Sequence, residues 1–178
     1  MRELVERARL IRFMELLGAR ARGPGAVYLC GGATAVLLGW RDATVDIDLR
    51  LDPEPAGAFA ELPRLKQELS LSIELASPHD FLPPLPGWRE RSRWIGRYGA
   101  IDFYHYDFTS QALAKLERGH SKDLIDVRRI LDLGLASPGA LWEALAAVQP
   151  ELHRYPAIEP AALRAKVERF LEGYDAAE

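Results

Sequence analysis

The sequence predicts an α+β (mixed α/β) protein: a mixed sheet with flanking helices, then a C-terminal helical part. Three observations predict it. Residues 26–75 read strand, helix, strand, helix, strand; residues 92–106 read as a hairpin about Tyr98-Gly99; and from Thr109 the apolar periodicity stays helical to Tyr174. The chain has 178 residues, 48% of them apolar, which suffices for a core. The 28% that are charged carry both signs, which argues against disorder.

In order, Leu4, Ala8, Ile11, Met14 and Leu17 recur at helical spacing, and this first helix ends near Gly18. Gly23-Pro24-Gly25 is a loop. Residues 26–30 form a short apolar strand that Gly31-Gly32 breaks, and 33–39 read as a short helix. Residues 44–51 alternate as a second strand. After a proline-rich turn at 52–55, residues 56–69 read as a helix that Pro63 kinks or breaks. Residues 71–75 alternate again. The prolines at 78, 83, 84 and 86 make 77–88 an ordered loop. Four helices follow, at 111–118, 121–133, 138–148 and 160–174, with Ser121 and Ser137 as candidate N-caps and Pro138 and Pro160 in first turns. The expected division is a core at 1–108 and a helical part at 109–178 packed on it, with a frayed tail at 175–178.

The formal net charge is -3, so overall charge implies no strong non-specific binding of nucleic acid. The single cysteine, Cys30, excludes a disulfide framework and a cysteine-based zinc site; it fits a buried apolar role in a reducing cytoplasm. No apolar stretch has the length to span a membrane, and the charged N-terminus is unlike a signal peptide. Cytoplasmic location is therefore the expectation.

The chemistry concentrates in residues 30–48. Gly31-Gly32 ends one strand and opens a helix, where bare backbone N–H groups can approach a phosphate. After a spacer of thirteen residues comes Asp46-Ile47-Asp48, in which the two carboxylates project to one face of a strand and Ile47 to the other. Paired carboxylates repel unless a cation sits between them, and Mg²⁺ favours a few carboxylates with phosphate oxygens and water. A three-glycine dinucleotide loop and a P-loop are excluded, because Gly31-Gly32-Ala33-Thr34-Ala35 lacks the third glycine and any Gly-Lys-Ser/Thr.

These residues resemble the signature of the polymerase-β-like nucleotidyltransferase superfamily: a Gly-Gly or Gly-Ser turn, a spacer of this length, then apolar-flanked Asp-x-Asp. The resemblance implies that fold, Mg²⁺ (or Mn²⁺) held by Asp46 and Asp48, and a nucleoside triphosphate bound at Gly31 and Gly32. Gly32 stands where many members carry serine, and Thr34 is the candidate to replace that hydroxyl. The third carboxylate is Glu74 in Ile73-Glu74-Leu75 or Asp102 in Ile101-Asp102-Phe103. Glu74 is favoured as a metal ligand because minimal members of the resembled superfamily carry this acid on the strand right after the helix; a site of two carboxylates alone is the remaining alternative.

A second resemblance lies downstream. Lys115, Arg118, Lys122, Asp123 and Asp126 match a segment of the AbiEii/MenT-type toxin nucleotidyltransferases, while residues 74–93 and Phe103-Tyr104-His105-Tyr106-Asp107 resemble the compact DUF6036 family. Together the similarity covers roughly residues 25–133. It implies catalytic roles for Lys115 and Asp123 and triphosphate contacts from Lys115 and Arg118. The spacing of Lys122 and Asp126 also suits an ordinary i, i+4 salt bridge on a solvated helix. RNA, a protein or a small molecule such as an aminoglycoside stay open as acceptors, with a cognate antitoxin or toxin as partner. A catalytically silent nucleotide- or partner-binding module is the alternative.

Weaker candidates remain. Trp88 to Trp94 enclose Arg89, Arg91 and Arg93, a set suited to phosphate or base stacking or to a plain strand edge. His105 and Asp107 lie two apart, near or sharing a face with Asp102, as a structural or an orienting pair. His79, His120 and His153 have no metal-ligand spacing.

Overall fold

A computed structural model of the chain describes residues 4–175. The first three residues, and Ala176 to Glu178 of the expected frayed tail, lie outside the described residues; Asp175 is still helical. The chain divides into two compact units, Met1–Ser77 with Ser92–Tyr106, and Pro78–Arg91 with Asp107–Glu178. The boundary thus falls at Asp107 rather than after 108, and most of the proline-rich stretch belongs with the helices.

The first unit is a mixed five-stranded sheet with helices. In chain order it contains β1 (Val5–Glu6), α1 (Arg7–Arg20), β2 (Gly25–Cys30), α2 (Gly31–Leu38), β3 (Ala43–Thr44), β4 (Asp46–Leu51), α3 (Ala58–Glu68) and β5 (Ser72–Glu74). The second unit contributes α4 (Trp88–Arg91), after which β6 (Arg93–Tyr98) and β7 (Ile101–His105) return to the sheet. The strand order is β5-β4-β2-β7-β6. β4 runs antiparallel to β2, whereas β5 is parallel to β4 and β7 parallel to β2. Val27, Leu29, Ile47, Leu49, Ile73, Ile101 and Phe103 carry one face of this sheet into a core shared with Leu10, Phe13, Leu17, Val36 and Leu65 of the helices.

Several elements differ from expectation for identifiable reasons. The strand expected at 44–51 breaks at Val45, because β3 pairs with β1 in a separate two-stranded sheet while β4 joins the main one. With Val5 drawn into β1, the buried stripe of α1 is Leu10, Phe13, Met14 and Leu17; Leu4 and Ala8 are exposed. α2 begins at Gly31 itself rather than at Ala33. α3 continues through Pro63, which lies on the exposed side, where the backbone group it leaves unbonded can meet water.

The second unit is helical: α5 (Phe108–Arg118), α6 (Ser121–Asp132), α7 (Pro138–Val148) and α8 (Pro160–Asp175). α6, α7 and α8 all pack on α5, whose residues 108–116 are buried all round, as a central helix requires. Asp107 caps α5: its carboxylate accepts from Thr109 N, Ser110 N and Ser110 Oγ, and takes both Nε and Nη2 of Arg91 at 3.1 and 2.8 Å. The expected cap Ser137 accepts from Ala140 N at 3.1 Å. Ser121 does not cap α6; it is the first helical residue, and His120 stands at the cap without a side-chain bond.

Within the sheet unit, His105 ends β7 on the core face and meets Thr34 of α2, Nδ1 to Oγ1, at 3.1 Å. Burial, with the charge of Arg93 adding to it, pushes the imidazole from 6.5 down to about 4. The unfolded chain takes up this proton near 6.5 and the folded chain only near 4. Stability is therefore full above 6.5 and falls as pH drops through that window, by about 3 kcal/mol in all. Urea denaturation at pH 7.5 and 4.5 should show the wild type losing about 2–3 kcal/mol more than His105→Asn. Equal losses would contradict this origin.

Candidate functional site

β4 alternates as its sequence requires. Ile47 and Leu49 are fully buried on the core face, while Asp46 and Asp48 occupy the other face, about 6–7 Å apart along the strand. Asp48 pairs with Cys30 of β2, the residue before Gly31, and on its other side with Glu74 of β5. Three of the expected residues, Asp46, Asp48 and Glu74, thus share one face of adjacent strands beside the diglycine turn. Asp46 and Asp48 are half-buried, Glu74 is exposed, and Asp46 Oδ1 is shielded from solvent.

The two glycines are required by close approach. Gly31 has φ +58, and a Cβ there would stand 3.0 Å from Asp48 Oδ2. At Gly32 a Cβ would lie 2.0 Å from Thr44 Oγ1 and 3.3 Å from Arg41 Nη1. Thr44 thus fills the volume that any side chain at position 32 would need. Thr44 and Arg41 went unnoticed in the sequence, although Thr44 stands two residues before Asp46. Thr34, by contrast, is buried, and its hydroxyl donates to Leu29 O at 3.3 Å besides meeting His105. It points into the core and is unsuited to donate to a phosphate.

Asp102 is not brought to the pair. It lies on β7 beside Ala26, at the opposite end of β2 from Cys30. Four residues along and two strands across put it about 16 Å from Asp48. Its carboxylate takes Arg97 Nε at 2.9 Å and Nη2 at 2.6 Å, and Trp94 Nε1 at 3.1 Å. The Arg97 hydrogen bonds hold Asp102 below the usual carboxylate range. His105 does not share its face, since the two are three residues apart on one strand, and Asp107 lies beyond the strand's end.

The donor chemistry at Asp46, Asp48 and Glu74 fits a hard divalent cation, because every candidate ligand is a carboxylate oxygen. Among the described residues, no three or more His, Cys, Asp or Glu side chains are already gathered as a metal cage.

In the helical unit, the structure gathers the other expected residues. Lys115 Nζ donates to Asp126 Oδ2 at 2.7 Å and Asp123 Oδ1 at 3.3 Å, and Arg118 Nη2 donates to Asp123 Oδ1 at 2.6 Å. Lys115, Asp123 and Asp126 are buried. Asp126 therefore serves Lys115 of the preceding helix, and Lys122 is exposed. The tryptophan–arginine cluster divides: Trp88 is buried, edge-on to His79 at 5.1 Å, whereas Trp94 is exposed on β6. Comparison with family models, with curated proteins and with solved structures gives no match.

Two outcomes follow. Gly32→Ala should cost about 1–3 kcal/mol through overpacking, and Thr44→Gly should relieve most of it in a double-mutant cycle by chemical denaturation. Additive effects would show that Thr44 does not set the constraint. Lys115→Met should cost about 3–5 kcal/mol by removing the buried cation that Asp123 and Asp126 share, with partial recovery in Lys115→Met/Asp126→Leu. A loss below about 1 kcal/mol would place the network in solvent.

Proposed function

We propose that the chain is a metal-dependent nucleotidyltransferase with a polymerase-β-like fold, moving a nucleoside monophosphate from a nucleoside triphosphate to an acceptor hydroxyl. The carrying observation is the register of β4, which sets Asp46 and Asp48 on one face between the Gly31-Gly32 turn and Glu74. In this reading the acceptor oxygen attacks the α-phosphorus, the bond to pyrophosphate breaks, and the acceptor proton passes to a base. Asp46 and Asp48 hold Mg²⁺ or Mn²⁺, and Glu74 completes the metal set or takes the proton. Gly31 and Gly32 hold phosphate oxygens with backbone N–H groups at the start of α2. The bound metal supplies Lewis-acid stabilisation of charge on the phosphates. Asp102, held by Arg97, has no part in it. Lys115 and Arg118 are paired with Asp123 and Asp126 within the helical unit.

The test is transfer of label from each α-labelled nucleoside triphosphate, with Mg²⁺ or Mn²⁺, to total RNA, protein lysate or an aminoglycoside. Asp48→Asn and Asp46→Asn should each lower transfer by about 10²–10⁴-fold and Glu74→Gln by about 10²-fold, while Asp102→Asn stays near wild type. Absence of transfer to every acceptor, or full transfer in the Asp46→Asn/Asp48→Asn protein, would contradict the proposal.

A further inference from the structure

The helical unit carries a feature that the nucleotidyltransferase reading does not use. α6 and α8 both pack on α5, and the three helices line a groove of about 830 Å³. Five cationic side chains line it against one carboxylate, Asp132, on a chain whose net charge is -3. Two of the cations are already engaged: Arg118 by Asp123, and Lys166 by the backbone carbonyl and carboxylate of Glu117. Arg128 lies over the Tyr174 ring at 5.2 Å. Among the described residues, Arg128, Arg129 and Arg169 have no carboxylate partner, and Arg129 and Arg169 are exposed.

Apolar surface lies between these charges. Leu124 and Phe170 are half-buried, and Ile125 is 61% exposed one helical turn before Arg128 and Arg129. An exposed aliphatic beside unpaired arginines is the composition of a protein interface, where Arg is enriched. A single-stranded nucleic acid would need a series of aromatic rings on which to stack bases, and the groove has only Phe170. Gly173 leaves one wall open, since a Cβ there meets nothing within 4 Å.

We propose that this groove docks an acidic amphipathic helix of a partner protein. Apolar anchors of the partner at i, i+3 or i+4, and i+7 would lie on Leu124, Ile125 and Phe170, with flanking carboxylates on Arg128, Arg129 and Arg169. The inference stands on the helical unit alone and does not depend on nucleotide transfer.

The test is fluorescence polarisation on the full chain with three labelled probes. They are a helical peptide with leucines at those spacings and flanking glutamates, the same peptide with lysines, and a mixed-sequence single-stranded RNA. The acidic peptide should bind and the other two should not. Arg129→Glu/Arg169→Glu should weaken it at least about tenfold through the lost charge pairing. Gly173→Phe, which places a ring in the open wall, should block it with the circular dichroism spectrum unchanged. Lack of binding by the acidic peptide, binding unaffected by either variant, or tighter binding of the RNA lost in the same variants would overturn the proposal. So would self-association of the chain that these variants abolish.

Discussion

Two negative charges are held on one face of β4 because the other face is anchored. Ile47 and Leu49 are fully buried, and each contributes about 1.5–3 kcal/mol by leaving water. If their carboxylates keep the strand spacing of about 6–7 Å, Asp46 and Asp48 oppose this by about 0.6 kcal/mol if water screens them and about 2.5 kcal/mol if the protein does. Burial exceeds repulsion at either limit, so the strand keeps its register without help from a cation. A slip of one residue would drive both carboxylates into the core and expose both apolar side chains, which makes the register hard to lose. Everything else at the site is placed relative to it: Cys30 and the diglycine turn on one side, Glu74 on the other.

Much of this was legible in the sequence because it is local. Period-two alternation announces β4 and the face its aspartates take, and paired glycines announce a turn into a helix. What was illegible depends on contacts across the fold. Asp102 has the same apolar flanks as Glu74, and only strand order shows that it sits at the far end of the sheet. The break at Val45 is a change of partner sheet within one alternating stretch. Gly32 reads as a departure from a serine pattern until Thr44 is seen to fill the space. Thr34 reads as a free hydroxyl until His105 is found beside it.

The helical unit follows a different rule. Its buried charges are matched rather than exposed: Asp107 by Arg91, and Asp123 and Asp126 by Lys115 and Arg118. Breaking one partner of such a set costs more than replacing the whole set with apolar residues, so the network restricts which single changes the helices tolerate. In the sequence, Lys115 stands alone as a cation beside Ala112, Leu113 and Leu116. Its partners were present eight and eleven residues later, on the next helix, where spacing along one helix cannot reveal them. Against this interior of compensated charge, the uncompensated arginines of α6 and α8 stand apart.

The central claim is that the carboxylate face of β4 takes a divalent cation together with a nucleotide. Thermal unfolding with a non-hydrolysable nucleoside triphosphate tests it most directly. Because burial alone holds the strand, removing divalent metal with a chelator should leave the midpoint unchanged. Mg²⁺ and the nucleotide together, at about a hundred times the dissociation constant, should raise it by about 5–10 °C, and Asp48→Asn should abolish the rise. A rise of equal size without Mg²⁺, or in the Asp48→Asn protein, would contradict the account.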